Sequence, residues 1–112
     1  MAESLEKQAA PSHGALVVDL PARRAFVGGV PVRLTRREFD LLAFFIRNPD
    51  RAVSRQELIA CVWDNGDALA SERTVDIHVR RLRSKLNTRA FRLDTLIRFG
   101  YRLTTADGRR GA

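Results

Sequence analysis

Arg73-Thr-Val-Asp-Ile-His-Val-Arg-Arg-Leu-Arg-Ser-Lys-Leu86 is the stretch on which the reading of this chain turns. Stepping about 100° per residue from Val75, Val79 lands near 40°, Leu82 near −20° and Leu86 near 20°. These four form one narrow apolar stripe. Arg80, Arg73, Ser84, Ile77 and Arg81 fall on the opposite side, between roughly 140° and 240°. Thr74, His78 and Lys85 flank this outer face. Asp76 and Arg83 flank the stripe on the other side. One face is made to dock on a protein core and the other is basic. A helix of this kind fits the major groove of B-form DNA, where arginine can donate two hydrogen bonds to guanine O6 and N7. Thr74 and Ile77 can touch a thymine methyl. Ile77 alternatively packs on a neighbouring loop.

The charge balance agrees. The chain has 112 residues and a formal charge of +7. Residues 1–14 carry −1, residues 15–70 carry +1, residues 71–92 carry +5 and residues 93–112 carry +2. Most of the excess therefore sits around the quoted helix, which suits a polyanionic partner. A solvated helix with spare arginines would look similar on charge alone. The 45% of apolar residues allow one modest core and argue against a disordered polyelectrolyte. No apolar run approaches the roughly 20 residues that cross a bilayer, and no secretory signal opens the chain. With the single cysteine, Cys61, this points to the cytoplasm.

Working outward toward the N-terminus, Ser54-Arg-Gln-Glu57 is a capping box that opens a helix with Leu58, Ile59, Val62 and Trp63 as its buried stripe. Asp64-Asn-Gly-Asp-Ala-Leu-Ala70 separates it from the quoted helix as a long turn. Thr35-Arg-Arg-Glu38 opens an earlier helix, apolar on most of its surface and so expected at the centre of the core. Before it, Leu16–Asp19, Ala25–Val27 and Val30–Leu34 are β-prone, and Gly28-Gly29 signals a hairpin. Toward the C-terminus, Leu93–Ile97 and Tyr101–Thr105 form a closing hairpin around Arg98-Phe99-Gly100. Arg98, at its tip, could enter a minor groove or stand in solvent. The fold class expected is α+β: a winged helix-turn-helix with an N-terminal antiparallel sheet, three helices and a C-terminal β-hairpin wing. Residues 1–14 read as a flexible linker or an expression remnant, 15–105 as the DNA-binding domain, and 106–112 as a disordered tail.

The quoted helix resembles the recognition helix of the winged-helix output domains of bacterial two-component response regulators, the OmpR/PhoB class. Leu34-Thr-Arg-Arg-Glu-Phe-Asp-Leu-Leu42, Val53-Ser-Arg-Gln-Glu-Leu58 and Gly100-Tyr-Arg-Leu103 agree, in the same order, and the resemblance covers about residues 16–104. It implies a four-stranded N-terminal sheet and binding to promoter DNA by tandem, head-to-tail protomers. It implies that Arg73, Thr74, Arg80, Arg81 and Arg83 contact DNA, with His78 near the backbone and Thr95 and Tyr101 on phosphates. It implies that the loop Asp64, Asn65, Gly66, Asp67, Ala68, Leu69, Ala70 meets RNA polymerase. One departure concerns the wing: the family commonly has Arg-Gly in the wing turn, where this chain has Ile97-Arg98. A second is that these residues are not expected to include the acidic pocket of a receiver domain. Because residues 1–14 resemble an interdomain linker, an excised output domain is favoured over a stand-alone regulator.

Other residues invite functional readings that do not hold up. Cys61 has no second ligand at metal spacing and reads as a small packing residue. Trp63 reads as a core plug rather than a base-stacking platform. Asp64 and Asp67 lack the pattern of a calcium loop. No phosphate-cradling glycine loop and no catalytic constellation is evident, so the expectation is a binding module with no metal and no cofactor. RNA is disfavoured, because a deep, narrow A-form major groove excludes such a helix. The alternative from another class is a winged-helix protein-interaction module whose basic face meets an acidic partner.

Overall fold

The computed structural model describes residues 16–63, 70–86 and 91–104. The expected linker and tail lie outside these residues, as does the expected polymerase loop apart from Ala70. Ala70 is partly buried against the core.

Three strands open the chain: β1 (Leu16–Asp19), β2 (Arg24–Val27) and β3 (Val30–Val32), antiparallel in the order β1-β2-β3. Val27 pairs with Val30 across Gly28-Gly29, whose φ values are 60° and 83°. A two-residue turn with both φ positive follows the right-handed twist of its strands, and glycine adopts it without steric cost.

Helix α1 (Arg36–Arg47) starts where the capping box predicts. The Glu38 amide donates to Thr35 Oγ1 at 3.2 Å, and the Thr35 amide donates to Glu38 Oε1 at 2.9 Å. Leu41, Leu42 and Phe45 are fully buried, so α1 is the central element expected. The second capping box also forms, with the Glu57 amide donating to Ser54 Oγ at 3.0 Å. Its helix, however, is not uniform: α2 (Arg55–Leu58) passes into a π-helical turn, Ile59–Trp63. Val62 and Trp63 are buried there and Cys61 is exposed. Cys61 is thus exposed rather than the small packing residue expected, whereas Trp63 is a core residue, as expected.

Helix α3 (Glu72–Leu86) buries Val75, Val79, Leu82 and Leu86, the stripe read from the sequence. Each such side chain contributes about 1.5–3 kcal/mol by leaving water. The last described elements are β5 (Arg92–Leu96) and β6 (Gly100–Thr104). The hairpin recruits β4 (Val53–Ser54), which gives the order β4-β6-β5. The N-terminal sheet thus has three described strands rather than the four implied by the resemblance, and the wing belongs to a second three-stranded sheet. A two-residue strand is too short to show periodicity, so β4 was legible only as a cap. The hairpin turn also shifts by one residue, to Ile97-Arg98-Phe99, with the Phe99 amide donating to the Leu96 carbonyl at 2.9 Å. Gly100 is not a turn residue: it pairs with Leu96 and Ser54, and a Cβ there would run into the Val53 carbonyl oxygen.

Candidate nucleic-acid interface

Ser71 and Thr74 fix where α3 begins. The Thr74 amide donates to Ser71 Oγ at 3.2 Å, and the Ser71 amide donates to Thr74 Oγ1 at 3.1 Å. This reciprocal cap engages the Thr74 hydroxyl at the helix start. The signal was present as Ser followed three residues later by a hydroxyl-bearing Thr, although the usual capping box has Glu or Gln there.

Both flanks of α3 are occupied by the protein. On one flank, Lys85 Nζ donates to Glu38 Oε1 at 2.6 Å, and the His78 ring meets Trp63 edge-on with centroids 5.2 Å apart. His78 Nδ1 also lies 2.9 Å from the Thr74 carbonyl oxygen. Glu38 is 1% exposed. Burial pushes its carboxyl pKa up, but bonds from Lys85 and Thr35 outweigh this and hold it below its ordinary value.

On the other flank, Asp76 accepts from Arg55 Nε at 2.7 Å and from the Tyr101 hydroxyl at 2.5 Å. Burial again opposes ionisation, and these two donors prevail, so the Asp76 pKa is lowered. Burial and the bond to Asp76 raise that of Tyr101. The Tyr101 ring has the guanidinium carbons of Arg55 and Arg83 near its face, 5.0 and 5.4 Å from its centroid. Arg83 also donates to the Leu93 carbonyl from Nε at 3.0 Å and from Nη2 at 2.7 Å, and Nη2 donates to Thr95 Oγ1 at 2.6 Å. This set ties helix, first strand of the wing and second strand of the wing into one body. Sequence reading placed Asp76 and Arg83 on one flank but missed Arg55 and the role of Asp76. A lone acid beside a basic stripe was the available signal.

The outer face remains. Arg73, Arg80, Arg81 and Ser84 are exposed and Ile77 is half-buried. At the wing tip Arg98 is exposed with φ 63°, between Ile97 and Phe99, which are 82% and 48% exposed. At the departure in the wing, Arg98 therefore holds a positive φ where glycine is ordinarily preferred. Tyr101 is 4% exposed and its hydroxyl is spent on Asp76, so its place is behind the face rather than on it. Among the described residues no group of His, Cys, Asp and Glu could hold a metal ion, and no helix is long and apolar enough to cross a membrane.

Residues 29–103 match the family model described as "Transcriptional regulatory protein, C terminal". The chain belongs to the OmpR/PhoB family of winged-helix DNA-binding domains. Family relatives include the phosphate regulon regulator PhoB of Pseudomonas aeruginosa, 38% identical over 93 residues, covering 82% of this chain and 40% of that protein. The regulator PrrA of Mycobacterium tuberculosis is 47% identical over 73 residues, covering 65% of this chain and 31% of that protein. The chain thus spans well under half the length of these relatives. The solved DNA-binding domain of Bacillus subtilis CssR is 36% identical with a TM-score of 0.70, covering 80% of this chain and 99% of that one. The RstA DNA-binding domain of Klebsiella pneumoniae, solved in complex with the RstA box, is 28% identical with a TM-score of 0.71, covering 84% and 95%. OmpR/PhoB domains are DNA-binding parts of transcription regulators rather than enzymes.

Proposed function

We propose that this domain binds promoter DNA sequence-specifically, with α3 in the major groove, and serves as the output domain of a response regulator. The observation that carries the reading is the occupancy of α3. Its apolar stripe and both flanks are taken by the protein, and the basic outer face is left over. Arg73, Ile77, Arg80 and Arg81 are the base-reading candidates, and Thr74 lies at the groove-entering end. Arg98 and Thr95 lie on the wing, where a backbone or minor-groove contact would be made. Arg83, His78 and Tyr101 hold the face in place from behind. Some exposed arginines serve phosphates, which supply much of the affinity.

The tandem, head-to-tail arrangement, a polymerase contact through Asp64–Ala70 and a cytoplasmic location belong to the same proposal and rest on the family resemblance. Selection from a random duplex library, followed by footprinting and a salt series read by fluorescence anisotropy, tests it. A defined site, protected once or twice in tandem, is the expected result. Equal, weak affinity for every duplex would overturn the reading and favour an acidic protein partner for the basic face.

A further inference from the structure

Ile97, Arg98 and Phe99 form the turn at the tip of the wing. Three large apolar side chains stand exposed among the described residues, and two of them are here, Ile97 and Phe99. Between them Arg98 holds its positive φ and forms no ion pair among the described residues. A solvated tight turn ordinarily takes Gly, Asn or Asp. Here a β-branched and an aromatic side chain forgo the gain from burial, and an arginine takes the conformation that favours glycine. Such conflict between local preference and position marks functional sites.

The tip is also held in fixed relation to α3. The Phe99 amide donates to the Leu96 carbonyl, and the Phe99 carbonyl accepts from the Arg55 amide at 3.2 Å. That amide opens α2, where a helix leaves its first donors without internal partners. The Arg55 side chain in turn bonds Asp76 of α3. One residue therefore joins the wing tip to the recognition helix.

We propose that the wing tip grips the minor groove by apolar contact, with Ile97 and Phe99 against its deoxyribose walls and Arg98 toward its phosphate rim. This rests on α3 lying in the major groove. The adjacent minor groove then opens half a helical turn away, about five base pairs. Its walls are deoxyribose C–H edges and its rims are phosphates, so an apolar–cation–apolar tip matches both. A protein partner would match the apolar pair, but it would have to bring a separate acid to Arg98. The duplex on α3 supplies that charge and lies on the side where Arg55 fixes the tip. Apolar contact releases no counterions, so its share of the affinity does not fall as salt rises.

The probe is a fluorescein-labelled duplex carrying one site recovered from the random library, with copies shortened stepwise from either end. Ile97→Ser, the double variant I97S/F99S and Arg98→Ala are titrated by anisotropy in a salt series. Unfolding midpoints establish that each is folded, and Ile97→Ser, at an almost fully exposed position, carries the test should the double variant not fold. Ile97→Ser should lose about threefold in affinity and the double variant about tenfold, each by the same factor at every salt concentration. Arg98→Ala should instead flatten the salt slope by about one. Removing the base pairs under the tip should weaken the wild type and leave the Ile97 variants unchanged. Wild-type affinity in Ile97→Ser would overturn the proposal. So would a loss that survives shortening from both ends, which would mean that the tip acts through the fold. A dimer in sedimentation velocity that Ile97→Ser abolishes would assign the tip to a second copy of the chain and overturn it too. An R80A/R81A variant separates the two readings. If it binds like the wild type, the placement of α3 fails and this inference with it. If it weakens binding while Ile97→Ser does not, the wing contact alone fails.

Discussion

The Tyr101 hydroxyl donates to Asp76 Oδ1 at 2.5 Å, so the second wing strand is bonded directly to the flank of the recognition helix. Replacing Tyr101 with Phe keeps the ring between its two guanidinium groups and removes only the donor. Asp76 then retains Arg55 alone. The expected cost is about 1–3 kcal/mol of stability, read by urea denaturation. DNA affinity should fall evenly across sequences, because orientation rather than base contact is lost. A change confined to one base position would contradict this.

Arg80→Ala and Arg81→Ala should leave the unfolding free energy within about 0.5 kcal/mol, since both side chains are exposed. A base-contacting arginine should cost about 1–3 kcal/mol of binding and relax specificity at one position. A phosphate-contacting one should weaken all duplexes alike and flatten the salt slope. Anisotropy at several salt concentrations with matched and mutated sites separates the two.

Arg98→Gly should raise stability by about 0.5–1 kcal/mol, because Arg98 holds φ 63° at a cost that glycine avoids. Thermal unfolding would show a higher midpoint. Gly100→Ala should do the reverse and cost more than about 2 kcal/mol, because the added Cβ meets the Val53 carbonyl and forces β4 from β6.

Acid should loosen the domain below about pH 4.5. The carboxyls of Glu38 and Asp76 are both held below their ordinary values of 4.5 and 3.8. A depressed folded-state pKa means that the unfolded chain takes up protons first as pH falls. The stabilisation is therefore complete above the ordinary values and is lost as pH drops through the folded ones. Lys85→Met removes the donor from a buried carboxylate. It should lower stability at pH 7 and make the acid branch shallower, as equilibrium denaturation from pH 7 to pH 3 would show.

The sequence made α3 legible because its stripe is periodic and its charges segregate by angle. Thr35–Glu38 and Ser54–Glu57 located two helix starts within a residue, since capping boxes satisfy specific amides. What stayed hidden depends on partners far along the chain. Arg55 reaches Asp76 twenty-one positions away, and Lys85 reaches Glu38 across forty-seven. No local pattern encodes those meetings. Cys61 was misjudged because its reading weighed only the lack of metal partners; at about 100° per residue it falls about 130° from the centre of the Leu58, Ile59, Val62 and Trp63 stripe, on the exposed side.

The two occupied flanks of α3 also set its angular phase. Lys85 on Glu38 and Asp76 under Tyr101 oppose any roll of the helix about its own axis, and Arg83 ties that phase to the wing. In the proposed complex the protein would therefore present α3 to DNA with its angular phase already set. Compliance would then fall to the duplex, whose twist and bend vary with sequence in energetic cost. Base pairs that α3 never touches can thereby influence how well a site fits.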